Sequence, residues 1–218
     1  MRNKILCVLL LVASISLFGC SSTPLPPSIK IMRFGSVTNP PEIDTFVSAE
    51  LSIKGENMTR YTSPKYKIET AVFEALSIMI VPITIFNNTG DDLQPSEYSI
   101  SLYDGRDMKL IKMLSRSDMI KVQDKLKGGT GGGLEQQVVN SAMDSFMSIT
   151  NSTDKQALIQ GLDAAINNYF SFRPVYAYDK RFGVLCFLLD FKAEYPISLK
   201  VKIQKQDIIL KFFPKADS

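Results

Sequence analysis

SIMIVPITIFNNTG, Ser77 to Gly90, is the stretch on which the reading of the fold turns. From Ser77 to Phe86 it is apolar at odd and even positions and rich in β-branched residues, so a central β-strand covered on both faces is expected. Pro82 has no N–H to give a ladder, which predicts that one edge of this strand is unpaired or bulged there. Asn87-Asn88-Thr89-Gly90-Asp91-Asp92 then supplies the residues that tolerate left-handed or side-chain-bonded backbone, the chemistry of a turn. The same oxygens suggest calcium, but the alternating spacing and terminal glutamate of an EF-hand are missing, so a plain hairpin turn is expected.

Working outward, the grammar stays β. Val47, Ala49, Leu51 and Ile53 alternate with Ser48, Glu50 and Ser52, the period of a half-buried strand. Tyr66 to Leu76 reads as one further strand with Ile68, Val72 and Thr70 on one face. Tyr98, Ile100 and Leu102 alternate with polar partners before the turn signal Asp104-Gly105. Later strands are expected at Val175 to Tyr178, Gly183 to Phe191, Ile197 to Ile203 and Ile208 to Phe212. In the third of these, Ser198, Lys200 and Lys202 give a wet face, as in antiparallel sheets. Asp179-Lys180-Arg181 reads as a solvated turn. About eight short strands separated by turns point to an antiparallel sandwich.

Between residues 117 and 170 the period changes. Ser117-Asp118 is expected to cap a helix ending at Lys127-Gly128. Gly128 to Gly133 is glycine-rich, but Leu134-Glu135 follows where a phosphate-binding loop needs Lys and Ser or Thr, so a linker is expected. Leu134, Val138, Ala142, Phe146 and Ile149 recur at helical spacing with Met143 and Met147 beside them. Thr153 to Gln156 forms a capping box for another helix presenting Leu158, Leu162, Ala165 or Ile166, and Tyr169. These two helices, 134–149 and 153–170, are expected to pack on the sandwich or each other; the alternative is that an envelope protein partner docks through them.

Composition excludes more than it assigns. The chain has 218 residues and no histidine, which removes Ser-His-Asp and Cys-His catalysis and histidine-bound zinc or haem. No catalytic residue, metal site or cofactor is expected. Asn-X-Thr sequons at Asn57, Asn87 and Asn151 carry no expected role. With 25 basic against 22 acidic residues there is no field for nucleic acid.

The N-terminus has its own grammar. Arg2 and Lys4 precede Ile5 to Phe18, a positive tip and an apolar core laid out like an export signal. As a helix, 14 residues span about 21 Å, short of the ~30 Å hydrocarbon core, so a permanent transmembrane anchor is not expected. Leu17-Phe18-Gly19-Cys20 resembles the lipobox of bacterial lipoproteins, although Phe18 stands where that pattern prefers a small residue. The resemblance implies cleavage between Gly19 and Cys20 and acylation of Cys20, which would attach the protein to a membrane. Ser21 and Ser22 follow without the aspartate that such lipoproteins use for inner-membrane retention, which implies an outer-membrane destination. Loss of residues 1–19 takes two positive charges, leaving 23 basic residues against 22 acidic. Cys7 leaves with the leader and Cys20 is blocked, so Cys186 is expected to be a buried small hydrophobe without a disulfide partner.

A second resemblance covers about half of the mature chain. Val81 to Thr89, Tyr98 to Gly105, Gly183 to Phe191 and Tyr195-Pro196-Ile197-Ser198-Leu199 are similar to a loose class of bacterial extracytoplasmic immunoglobulin-like domains. The implied fold is mainly β, an immunoglobulin-like antiparallel sandwich with a helical insertion. The expected organisation is a signal peptide at 1–19, a lipidated cysteine and proline-rich tether at 20–28, a first β block at 29–116, the helical insertion at 117–170, and a second β block of the same sandwich at 171–218. The expected function is a membrane-anchored, non-enzymatic lipoprotein that binds protein or has a structural role in the cell envelope. The alternative is a carboxylate-dependent hydrolase acting on envelope glycans, which would need two facing acids across a cleft.

Overall fold

The computed structural model describes residues 29–38, 42–47, 57–75, 77–105, 107–128, 152–189 and 194–214. These form a mostly antiparallel β fold with two helices. Eleven strands are described: β1 (Ile29–Thr38), β2 (Glu42–Val47), β3 (Asn57–Thr62), β4 (Tyr66–Thr70), β5 (Phe73–Ala75), β6 (Ile78–Asn87), β7 (Tyr98–Asp104), β8 (Lys109–Met113), β9 (Lys180–Leu188), β10 (Ile197–Ile203) and β11 (Gln206–Pro214). The helices are α1 (Arg116–Leu126) and α2 (Ser152–Asn167).

The sheet curls until its ladder closes. Pairing runs β2-β3-β4-β6-β5-β1-β11-β10-β7-β8-β9, and β9 pairs back onto β6 from Ile78↔Leu188 to Phe86↔Lys180. Two strands turn the corners. β1 pairs with β5 through Ile29↔Ala75 and then with β11 as far as Thr38↔Ile209. β8 leaves β7 after Ile111 and meets β9 at Lys112↔Leu188.

β6 is the central strand, and Pro82 explains its irregular edge. One side of β6 is continuous with β9. The other is divided between β4 and β5, whose register ends at Thr70↔Ile83 and restarts at Phe73↔Ile80. Pro82 sits opposite that interruption, where its carbonyl accepts from the Thr70 hydroxyl at 2.9 Å. The expected single strand over Tyr66 to Leu76 is thus two strands, broken where a partner without an N–H cannot sustain the ladder.

The double-faced apolar runs have a double-faced environment. Met79, Val81, Ile83 and Ile85 of β6, with Leu185 and Phe187 of β9, point into the interior against Ile100, Leu102, Leu199, Val201 and Leu210. Their alternates Ile78, Val184, Cys186 and Leu188 point outward under the helices, against Met119, Val122, Leu158 and Leu162. Strand periodicity sets which residue faces which layer.

The helix α1 begins earlier than expected. Ser115 is its N-cap: the Ser115 Oγ accepts from Asp118 N at 3.1 Å, and Asp118 Oδ2 accepts from Ser115 N at 3.2 Å, a reciprocal box that Ser117 cannot make from inside the first turn. Gly128 follows the helix at φ +93, a left-handed backbone suited to glycine. Buried Gln123 ties the helices together, donating to Asp163 Oδ1 and to the Ile159 carbonyl.

Three other expectations change. Val175 to Tyr178 is not a strand; only Val175 makes a bridge, to Leu93, because residues 176–179 turn. Lys180 and Arg181 belong to β9 rather than to a loop. In β10, Lys202 is exposed and Lys200 half-buried, but Ser198 is fully buried, so the wet face is shorter than the alternation suggests. The expected strand over Val47 to Ile53 lies largely outside the described residues.

Candidate functional site

Gly19 and Cys20, the expected cleavage and lipidation residues, lie outside the described residues, as do the glycine-rich linker and the expected helix 134–149. The helix expected over 153–170 is represented by α2, and Leu158, Leu162, Ala165 and Ile166 are buried on the sheet. Gln156, Gln160, Asp163 and Asn167 form its exposed side. Among the described residues of α2, the exposed side is thus mostly polar.

The strand directions define two ends of the fold. Ile29 lies beside Ala75 and, through it, Ile78, with Met32 beside Pro214. Asn87, at the other end of β6, pairs with Tyr66, while the turn between Ile203 and Gln206 opens β11. Ten residues of β6 at ~3.3 Å each put these ends about 30 Å apart.

The end remote from Ile29 carries an open groove of about 920 Å³, lined by Lys65, Tyr66, Ser96, Glu97, Gln204 and Lys205 among others. Burial, with the carboxylates of Glu97 and Asp91, pushes the Tyr66 hydroxyl above the usual tyrosine range. The acids here are engaged. Glu97 Oε2 accepts from Gln94 N at 2.8 Å, and Asp207 Oδ2 lies 2.8 Å from Lys200 Nζ. Among the described residues, no three His, Cys, Asp or Glu side chains converge as metal ligands.

Beside the groove, Asn88 N donates to the Lys65 carbonyl at 2.8 Å, within the turn expected over Asn87 to Asp92. Asn87 is fully buried. Its Nδ2 donates to the carbonyls of Asp91 at 2.7 Å, Val175 at 3.1 Å and Tyr176 at 3.3 Å, and its Oδ1 accepts from Thr89 N and Oγ1. One amide thus fixes two loops against each other. The Asn87 to Asp92 oxygens serve this turn: Asp92 Oδ1 accepts from Ala177 N at 3.0 Å. The outcome is that Tyr176 and Tyr178 stand out, 56% and 78% exposed. No sequence signal separates them from strand residues, since the hydrogen bonds that turn this segment come from Asn87 and Asp92, more than 80 residues away.

No family model, curated protein or solved structure matches this chain.

Proposed function

We propose that this protein is a lipid-anchored component of a bacterial cell envelope, held to the outer membrane through Cys20, with a non-enzymatic binding or structural role. The observation that carries the reading is the order of the N-terminal residues: Arg2 and Lys4, an apolar run too short to span, then Leu17-Phe18-Gly19-Cys20. Two or more acyl chains on one cysteine give stable anchoring, at ~0.8 kcal/mol for each buried methylene. The polar, proline-rich residues 21–27 suit a tether between lipid and domain.

The domain reads as an immunoglobulin-like sandwich. Support comes from two antiparallel ladders, β3-β4-β6-β9 and β11-β10-β7, whose inner faces share one core. Strands that cross between sheets, as β1 and β8 do, are a known way of making sandwich corners. The lack of histidine and the engaged state of Glu97 and Asp207 support a non-enzymatic role.

Membrane fractionation of cells expressing the wild type and Cys20→Ala tests the anchor. The wild type should require detergent for release, whereas the variant should be released without it or accumulate with its leader attached. Identical partitioning and size of the two proteins would contradict the proposal.

A further inference from the structure

We propose that the two loops at the end remote from Ile29, residues 88–92 and 175–179, form a binding site for an uncharged polysaccharide, with Tyr176 and Tyr178 as its stacking surface. The first support is rigidity. Beyond the Asn87 side chain, Leu93 and Val175 exchange both backbone bonds, at 2.9 and 3.0 Å, Asp179 N donates to the Tyr176 carbonyl at 3.1 Å, and Asn87 N donates to the Asp179 carbonyl at 2.9 Å. An irregular segment with its backbone fixed in this way holds the points from which its aromatic rings project before any ligand arrives, so little backbone ordering entropy opposes binding.

The second support is strain. Tyr178 adopts φ +58, a left-handed backbone that is unfavourable for a bulky residue and persists where the surroundings impose it, often at binding sites. A Cβ on Gly90 would lie 3.5 Å from the Tyr178 hydroxyl, so the neighbouring loop meets the tip of this side chain. A glycine at 178 would adopt the same backbone without strain. The chain instead places there the most exposed of its large apolar side chains among the described residues.

The third support is the chemistry around the rings. Asn88, Asp91, Asp92, Arg173, Asp179 and Lys180 are all exposed, a surface of hydrogen-bonding groups with both signs of charge and no excess to draw a polyanion or polycation. A pyranose presents an apolar C–H face that lies on an aromatic ring and an edge of hydroxyls that bonds to carboxylates and amides. A standard protein interface needs a contiguous apolar centre. Of the other large exposed hydrophobics, Leu110 lies in the β7–β8 hairpin at the opposite end, and Phe182, on β9 opposite Thr84, is only 39% exposed. The rings stand on open surface outside the groove, so a polymer can lie across them without presenting a chain end. That this surface points away from the membrane rests on the proposed anchor; the binding chemistry does not.

The test uses the full mature protein in detergent, with insoluble β-1,4-linked N-acetylglucosamine polymer (chitin) and its soluble hexamer as probes. Wild type should co-sediment with the insoluble polymer and be displaced by the hexamer. The double variant Tyr176→Ala/Tyr178→Ala should bind at least about tenfold more weakly, and Tyr176→Phe/Tyr178→Phe should stay near wild type, because the ring rather than the hydroxyl does the stacking. Leu110→Ala serves as a surface control, and circular dichroism confirms that each variant is folded. Wild type remaining in the supernatant with the insoluble polymer, or sedimentation that the hexamer does not reverse, would overturn the proposal. Equal sedimentation of the alanine variant would overturn it as well. Intact mass of the same preparation reports the anchor separately, so failure of one reading does not mask the other.

Discussion

Gly183 and Phe170 meet backbone to backbone: a Cβ on Gly183 would lie 2.4 Å from Phe170 Cα and 2.7 Å from its N. The contact locks the exit of α2 onto β9, where Phe170 N donates to the Val184 carbonyl at 3.1 Å and Val184 N to the Asn168 carbonyl at 2.7 Å. Phe170 is fully buried, with Phe172 5.4 Å and Tyr98 6.4 Å away between ring centres. Gly183→Ala should therefore destabilise the protein by about 2 kcal/mol or more, since neither backbone can move without breaking these bonds. Urea denaturation should show a lower midpoint. An unchanged midpoint would contradict the close approach.

Asn87 is the hub of the loops that carry Tyr176 and Tyr178. Asn87→Ala leaves the Asp91, Val175 and Tyr176 carbonyls without that donor and should cost about 2 kcal/mol. Asn87→Asp should cost more, because it turns a carboxylate toward those three carbonyls in a buried position. The comparison separates loss of a donor from loss of side-chain volume, and thermal melting of the two variants reads the order directly.

The fold was legible where local period and final environment agree. The alternation in Tyr98–Asp104, Ile197–Ile203 and Gln206–Pro214 survives as β7, β10 and β11 because each has one face on the shared core. The unbroken run in Ser77 to Phe86 told that both faces are covered, but not that α1 and α2 cover one of them. β1 and β8 went unread for a different reason. Their sequences are short of a clean period, and each divides its length between two partners, β1 pairing with β11 some 170 residues away. Such pairings are set by the closed ladder rather than by local preference. The tyrosine loop was hidden for the same physical reason, since Val-Tyr-Ala-Tyr has strand composition until Asn87 and Asp92 capture its backbone.

Asp104 gives the protein a pH dependence of known sign. It is 4% exposed, and its Oδ1 accepts from Glu194 N at 2.7 Å. Burial raises its pKa; the Glu194 N–H and Lys109 pull it down, while the Glu194 charge pushes it up. A carboxyl raised on folding favours the folded state below its unfolded pKa, and that contribution is lost as pH rises through the folded value. Asp104→Asn keeps the acceptor and removes the charge. It should be more stable than wild type at pH 7, with the difference vanishing near pH 3. A constant difference across that range would contradict the assignment.

Cys186 sits fully buried beneath the helices, where burial pushes its thiol up to about 12. The reactive thiolate is therefore scarce at neutral pH and shielded as well. A maleimide should label Cys186 in the unfolded protein at least about a hundredfold faster than in the native one. Rapid labelling of the native protein would mean that the helices do not hold this face closed.

The lipid on Cys20 is the claim on which location and orientation depend, and the mass of the N-terminal peptide from membrane-extracted protein tests it most directly. The account predicts a peptide beginning at Cys20 with the added mass of acyl chains, absent from a Cys20→Ala variant. An unmodified peptide, or one starting at another residue, would contradict it.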